Sequence, residues 1–410
     1  MILHEQPYEV IVAGHLCLDL VPSFTDQGSC SLHDVLIPGK LTQVGQAALS
    51  TGGAVSNTGL SLRQLGIKTR LMGKIGSDLL GDVVRKILNK FDASNDLIVD
   101  SGSDTSYSIV IAPPGIDRIF LHHPGANDTF CAEDLNLSKI NGCRLFHFGY
   151  PPLMRRMYEE NGLELAKLFH WVHENGATTS LDLALPDPNS PAGQADWPQI
   201  LEKVLPLTDI FMPSLEELLY MTDRPYFDFL RSKASEGDLC DHFDFSRLPQ
   251  LGDRMISYGV RILTIKLGRY GLYIRTGSPG SLKDLGPAAP ADLSNWANRE
   301  IWQEIFEVRK ERIASTSGAG DASAAGFLSG LLKGYSIEDS STLACATAAL
   351  KIQYQTSVGH ILPIEAVMRL IPDWPQGHLP IDISASGWLK DSKTRVWCSQ
   401  RDRLSVYSEK

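Results

Sequence analysis

The chain has 410 residues, 43% hydrophobic and 21% charged, enough to bury a full core as one large domain with embellishments or as two smaller ones. Its 38 basic and 48 acidic side chains give a net charge of -10, which argues against a broad nucleic-acid footprint and leaves room only for a local basic pocket for phosphate. Seven cysteines without a CxxC pair suggest neither a disulfide framework nor a zinc ribbon; with no leader-like N-terminus and no apolar run of about 18 residues, a reduced, cytoplasmic chain without a membrane span is expected.

Along the chain, short β-branched runs alternate with stretches of helical period. The first strand is predicted at 9–15, followed by an irregular stretch, 16–45, with strand-compatible pieces. Gly52 and Gly53 then open a helix with Asn57 in its first turn and Leu60, Leu62 and Leu65 supplying apolar packing further along. A strand at 68–76 leads to a helix over 78–91, where Leu80, Val84, Ile87 and Leu88 form one stripe and Asp82 and Lys86 pair four apart outside it. Two strand-like runs around Pro-Pro-Gly make 106–123 a hairpin. Further strands are predicted at 143–150, 178–185, 209–214 and 261–268, all central in a parallel sheet. Residues 224–252 and 278–303 read as insertions, and the tail from about 372 has strand-like patches without a clear period. No internal repeat is evident. This alternation predicts a three-layer α/β fold, with 16–45 and 106–123 forming a small sheet over one end of the main one.

The chemistry concentrates in glycine clusters with carboxylates beside them. Neither Gly-Lys pair, 39–40 or 73–74, is followed by Ser or Thr, so a P-loop is absent, as are protein-kinase motifs and HExxH. In "TSGAGDASAAGFLSGLL", good helix formers begin at Ala322 and an apolar stripe runs through Phe327, Leu328, Leu331 and Leu332. Gly318, Ala319 and Gly320 therefore lie at a helix N-terminus, where unpaired amides and the macrodipole favour an anion. Asp321 in that first turn has two readings on its own, a helix cap or a chemical group. Asn57 is equally a helix-start residue or a donor and acceptor for sugar hydroxyls. Asp19 falls just beyond the first strand, at the edge where α/β proteins bind ligands, or is simply solvated. Asp182 and Asp187 either reach substrate or cap the turn after their strand.

Taken in order, these segments resemble the PfkB, or ribokinase-like, carbohydrate kinases. The residues that carry the resemblance are Gly14 and Asp19, "GGAVSNTGLSLRQLGIKTRLMGKIGSDLLGD" with Gly76, Asp78 and Gly81, "DRIFLHHPGAND", "KLGRYG" and the GAGD loop, spread over most of residues 8–371. The resemblance implies a ribokinase-like three-layer α/β/α sandwich over residues 1–371, a small β lid built from parts of 16–45 and 103–125, and a C-terminal extension, 372–410, of unassigned role. It implies ATP and Mg2+ and transfer of a phosphoryl group to a hydroxyl of a small sugar or sugar derivative. Asp321 then resembles the catalytic base and the Gly318, Ala319 and Gly320 amides the anion hole. Asp19, Gly53 and Asn57 match substrate-binding positions, Lys266, Gly268, Gly318 and Gly320 nucleotide-binding ones, and Glu217 the acid that helps to hold the metal through water. By itself Glu217 reads as a solvated helix face. The family also raises a homodimer through the lid as an expectation, with no nucleic-acid or membrane partner.

Two positions depart from the pattern. Ser214 replaces the asparagine of the family's NxxE motif, and Ser315 stands where an aspartate usually precedes GAGD by three. The second change leads us to expect reduced or altered monovalent-cation dependence. Alternatives of the same fold or scaffold are a nucleoside kinase, for which no aromatic base clamp is evident, and a noncatalytic sugar-binding regulator.

Overall fold

Alternation along the first strand sets the architecture: Val10 and Val12 pack on one side of the sheet, Ile11 and Ala13 on the other, and all four are fully buried. A strand apolar on both faces needs helices on both. In the computed structural model, which describes residues 8–24, 37–113, 119–234, 237–356, 360–384 and 387–402, helices cover both faces. The strands are β1 (Val10–Gly14), β2 (Cys17–Pro22), β3 (Ala47–Gly52), β4 (Thr69–Gly76), β5 (Ile98–Asp100), β6 (Tyr107–Ile111), β7 (Ile119–His123), β8 (Leu145–Gly149), β9 (Thr178–Asp182), β10 (Ile210–Phe211), β11 (Ile262–Lys266), β12 (Leu272–Thr276), β13 (Glu300–Gln303), β14 (Leu389–Lys390) and β15 (Trp397–Cys398). The main sheet runs β14-β15-β13-β12-β11-β10-β9-β8-β1-β4-β5, parallel from β11 to β5 and antiparallel from β11 to β14. The result is the expected three-layer α/β/α sandwich.

The longer described helices are α1 (Ala54–Gln64), α2 (Leu79–Asn89), α3 (Leu163–Glu174), α4 (Trp197–Val204), α5 (Leu215–Thr222), α6 (Arg224–Ala234), α7 (Leu248–Ser257), α8 (Ala319–Leu332) and α9 (Ile337–Lys351). One face of the sheet packs against α3 to α7 through Phe148, Phe169, Trp197 and Leu218, the other against α8 and α9 through Phe327, Leu328 and Ala346. α8 and α9 approach closely because a Cβ on Gly326 would come within 2.8 Å of the Ala344 Cα. None of the described helices is long and apolar enough to cross a membrane, and the six described cysteines are free thiols, all buried.

The second sheet, β3-β2-β6-β7, lies beside α1 and α2. It draws on β3, residues outside the predicted 16–45 piece, and on the predicted hairpin, of whose turn residues 114–118 lie outside the description. The Gly76, Asp78, Gly81 pattern serves this junction. Asp78 caps α2 through the Gly81 amide at 2.8 Å and binds the Thr105 amide at 2.8 Å and its hydroxyl at 2.6 Å. Any Cβ at Gly76 would lie 2.4 Å from the Ser103 carbonyl. Asp78 thus pins the main sheet to the chain entering β6.

Two expectations need correction. Residues 224–252 are no loose insertion, because α6 and the chain after it bury Phe227, Leu230, Leu239 and Phe243 in the core. The 278–303 stretch ends in β13, where Trp302 is buried and donates to the Tyr270 carbonyl at 2.6 Å; Trp296 is buried as well and donates to the Tyr335 carbonyl at 3.0 Å. Both tryptophans belong to the core. The tail supplies β14 and β15, which extend the main sheet beyond β13. It is anchored where Arg299, 1% exposed, pairs with Asp402 and Glu338, each at 2.7 Å.

Candidate active site

Parallel strands deliver their carboxyl ends to one edge of a sheet, the edge at which α/β proteins bind ligands. Here His15 follows β1, Tyr150 follows β8, Asp182 ends β9, Ser214 follows β10 and Lys266 ends β11. Two helix N-termini face these residues. Gly53, at φ 85°, is the N-cap of α1, and Gly318, at φ 73°, that of α8; a side chain at either position would be strained.

Asp321 lies in the first turn of α8 and is 2% exposed. Its Oδ2 accepts from Asn57 Nδ2 at 3.1 Å and from the Tyr150 hydroxyl at 2.7 Å, and its Oδ1 from the Thr58 hydroxyl at 3.0 Å. None of these donors is on its own helix, so the cap reading of Asp321 gives way to a carboxylate fixed across α1, β8 and α8. Three of its four lone-pair positions are occupied and one on Oδ1 stays open. Of the three neighbouring amides, that of Ala319 donates to the Thr316 carbonyl at 3.2 Å, an i to i+3 bond that closes the turn. This narrows the expected three-amide anion hole to two: of these three amides, those of Gly318 and Gly320 bond to no acceptor among the described residues.

Beside Gly320 lies Lys266, whose Nζ is 3.5 Å from the position of a Cβ there. It donates to Asp182 Oδ1 at 2.6 Å. Asp182 is fully buried; Oδ1 also accepts the Leu183 amide at 2.8 Å, while the buried Oδ2 has no partner. Burial alone would lower the Lys266 ammonium, but Asp182 and Glu217 outweigh it and hold the pKa above the usual lysine range. Burial raises Asp182 to about 7 against the pull of Lys266, with Glu217 and Asp321 adding to the rise. Glu217 starts α5 in a reciprocal cap with Ser214, whose amide donates to Glu217 Oε2 at 2.7 Å. Serine in place of asparagine therefore keeps the helix start, and Glu217 stays within electrostatic reach of Lys266.

On the side of the second sheet, His15 Nε2 lies 3.4 Å from His122 Nε2 on β7, and the His15 ring is 6.2 Å from that of Tyr150. His122 Nδ1 meets the Ser108 hydroxyl at 2.9 Å. Burial, with His122 second, lowers His15 to about 3, so it stays neutral. Two buried polar atoms here, His15 Nδ1 and Asn57 Oδ1, have no hydrogen-bond partner.

The structure thus brings together Asp321, Asn57, Gly318, Gly320, Lys266 and Glu217, with Gly53 packed against His15. Asp19 is not on a loop at the sheet edge but within β2, opposite Ser50, where burial raises its carboxyl to about 6. Gly268, at φ 56°, opens the turn after β11, 3.5 Å from Asp238 Oδ2 by its notional Cβ. Asp187 only caps its turn through the Asn189 amide at 2.9 Å. Sequence reasoning missed Thr58, His15 and His122, and noted the segment of Tyr150 without its role.

The model of the pfkB family of carbohydrate kinases matches residues 10–283 and 289–363. An uncharacterized sugar kinase of Archaeoglobus fulgidus is 25% identical over 294 residues, 72% of this chain and 95% of that one. A probable fructokinase of Arabidopsis thaliana is 27% identical over 225 residues, 53% of this chain and 63% of its own length. Among solved structures, the ribokinase of Arabidopsis thaliana complexed with ribose and ATP superposes with a TM-score of 0.64 at 16% identity, covering 89% of this chain and 99% of that one, a likeness of fold. With its glycine clusters, its sheet order and a family match over nearly its whole length, the chain belongs to the pfkB family and is a carbohydrate kinase.

Proposed function

We propose that this ATP-dependent carbohydrate kinase phosphorylates a hydroxyl of a small sugar or sugar derivative, with Asp321 as general base. The observation that carries the reading is the buried Asp321 carboxylate, clamped by three donors with one lone-pair position open, next to the amides of Gly318 and Gly320. Such an acid takes the proton of an attacking hydroxyl, and fixed amides stabilise the charge spread over the transferring group.

The residues fit a nucleotide and a divalent cation. The orphaned Asp182 Oδ2 and the Glu217 carboxylate supply the hard oxygens that magnesium takes, largely through water. Lys266 neutralises phosphate charge beside Gly320, and Gly268 belongs to the nucleotide side. When bound, MgATP supplies the phosphoryl group. The protein's part is to orient the acceptor and hold its proton at Asp321. The second sheet acts as a lid, with Asp19, His15, His122, Asn57 and Gly53 at the sugar side. The kinase domain spans 1–371, with 372–410 a C-terminal extension from which β14 and β15 lengthen the sheet beyond β13.

ATP-to-ADP turnover against a panel of sugars, sugar acids and nucleosides tests this reading. Turnover with at least one sugar or sugar derivative is expected. Turnover with nucleosides alone, or sugar binding without ADP formation, would overturn it.

Tyr150 acts as a positioning residue for the base. Its backbone is left-handed at φ 69°, which is costly for a non-glycine residue, and the strain aims its hydroxyl at Asp321. A hydrogen bond to a charged group contributes about 1.5–3 kcal/mol, so Tyr150→Phe is expected to lower kcat by about tenfold or more with little change in sugar KM. A change confined to KM would make Tyr150 a substrate contact instead.

A further inference from the structure

One buried charge has no part in the chemistry described so far. Lys351, the last residue of α9, is 1% exposed. Its Cε lies 3.4 Å from the position of a Cβ on Gly318, which sets the end of the side chain beneath the N-cap of α8. Its Nζ donates to the Tyr354 carbonyl at 3.4 Å. Two residues along the same turn stands Lys266, its Nζ 3.5 Å from the position of a Cβ on Gly320. Two lysines from different elements therefore stand one beside each of the two glycines with open amides. The segment that leads into the turn is itself tied to the end of α9, since the Ala314 and Ser315 amides both donate to the Ile352 carbonyl, at 2.8 and 3.1 Å. Burying an ammonium is costly, and an aliphatic side chain would fill this space without that cost. The carbonyl end of α9 compensates the charge at one side, while at the other the charge adds to the positive end of α8.

We propose that Lys351 is a built-in cation of the phosphoryl site. Its ammonium holds the 314–318 turn against the end of α9 and adds fixed positive charge under the Gly318 amide, so that no monovalent metal ion is needed there. Ser315 agrees with this role, because a charge already supplied by the chain needs no additional carboxylate to attract an ion. The inference rests on the kinase reading above, and Lys351 acts through the turn as a positioning residue.

The test compares the full-length chain with Lys351→Met in buffers whose only monovalent cations are bulky organic ones, then with potassium or ammonium added. Sugar turnover and binding of a non-hydrolysable ATP analogue are both read. The unaltered chain should not respond to potassium. Lys351→Met should lose about tenfold or more in kcat with sugar KM nearly unchanged, bind the analogue more weakly, and regain part of both with ammonium or potassium. Lys351→Gln serves in its place if the methionine variant does not fold. Strong potassium activation of the unaltered chain, full activity in the variant, or a loss that no cation restores would each overturn the proposal. Failure of the kinase reading looks different: no sugar would be turned over, while analogue binding would still report on Lys351.

Discussion

Asp321→Asn is expected to lower turnover by about 10²- to 10⁴-fold, the range for loss of a positioned general base, with nucleotide affinity largely kept. The fold should survive. An asparagine fits the same space with its one oxygen in the Oδ2 position, where it still accepts from Asn57 and Tyr150, and the Thr58 hydroxyl can rotate to accept from the new amide. Steady-state kinetics, calorimetric titration with nucleotide and a melting curve check the three parts. Turnover within a few-fold of the unaltered chain would remove Asp321 from the chemistry. A collapse in melting temperature would make it a structural anchor for α1, β8 and α8.

The second large effect concerns Lys266. Lys266→Met leaves Asp182 fully buried beside Glu217 and Asp321 without its ammonium, and breaking a buried pair in this way costs about 3–5 kcal/mol. Turnover should also fall by about 10²-fold or more, because the positive charge beside Gly320 is gone. The stability loss has a definite pH dependence. Burial already raises Asp182 to about 7, and loss of Lys266 raises it further, so the folded variant binds a proton that the unfolded chain releases above the ordinary carboxylate range. Its deficit therefore grows as the pH rises and shrinks as the pH falls toward 6. Adding Asp182→Asn to Lys266→Met should recover most of the stability and none of the turnover. Recovery of both would make the pair structural only.

The sheet was legible because its central strands are buried on both faces and read as short apolar runs, β-branched in 9–15 and 261–268 and aromatic in 143–150. β14 and β15 were not, since two residues show no period and their place is fixed by pairing with β13 and by the Arg299–Asp402 contact a hundred residues along the chain. In the site, Gly318, Gly320 and Asp321 were visible through local chemistry, small residues and an acid at a helix start. The clamp on Asp321 was not, because Tyr150 and Asn57 reach it across 171 and 264 residues of sequence. A tyrosine in left-handed backbone also has no sequence signature, since that conformation is imposed by the packed edge around it. Asp19 was misplaced by an early end to the loop: the chain leaves β1, turns at His15 and starts β2 within two residues. For the same reason the lid was drawn without β3, whose Ala47–Gly52 run carries small residues and little apolar alternation.

Asp321 as the base of an in-line transfer is most directly tested by a structure of the chain with its preferred sugar and a non-hydrolysable ATP analogue. The acceptor hydroxyl should lie within hydrogen-bonding distance of Asp321 Oδ1, about 2.6–3.2 Å, on the side facing the Gly318 and Gly320 amides. A hydroxyl held by another acid, or a sugar bound away from α8, would contradict the account.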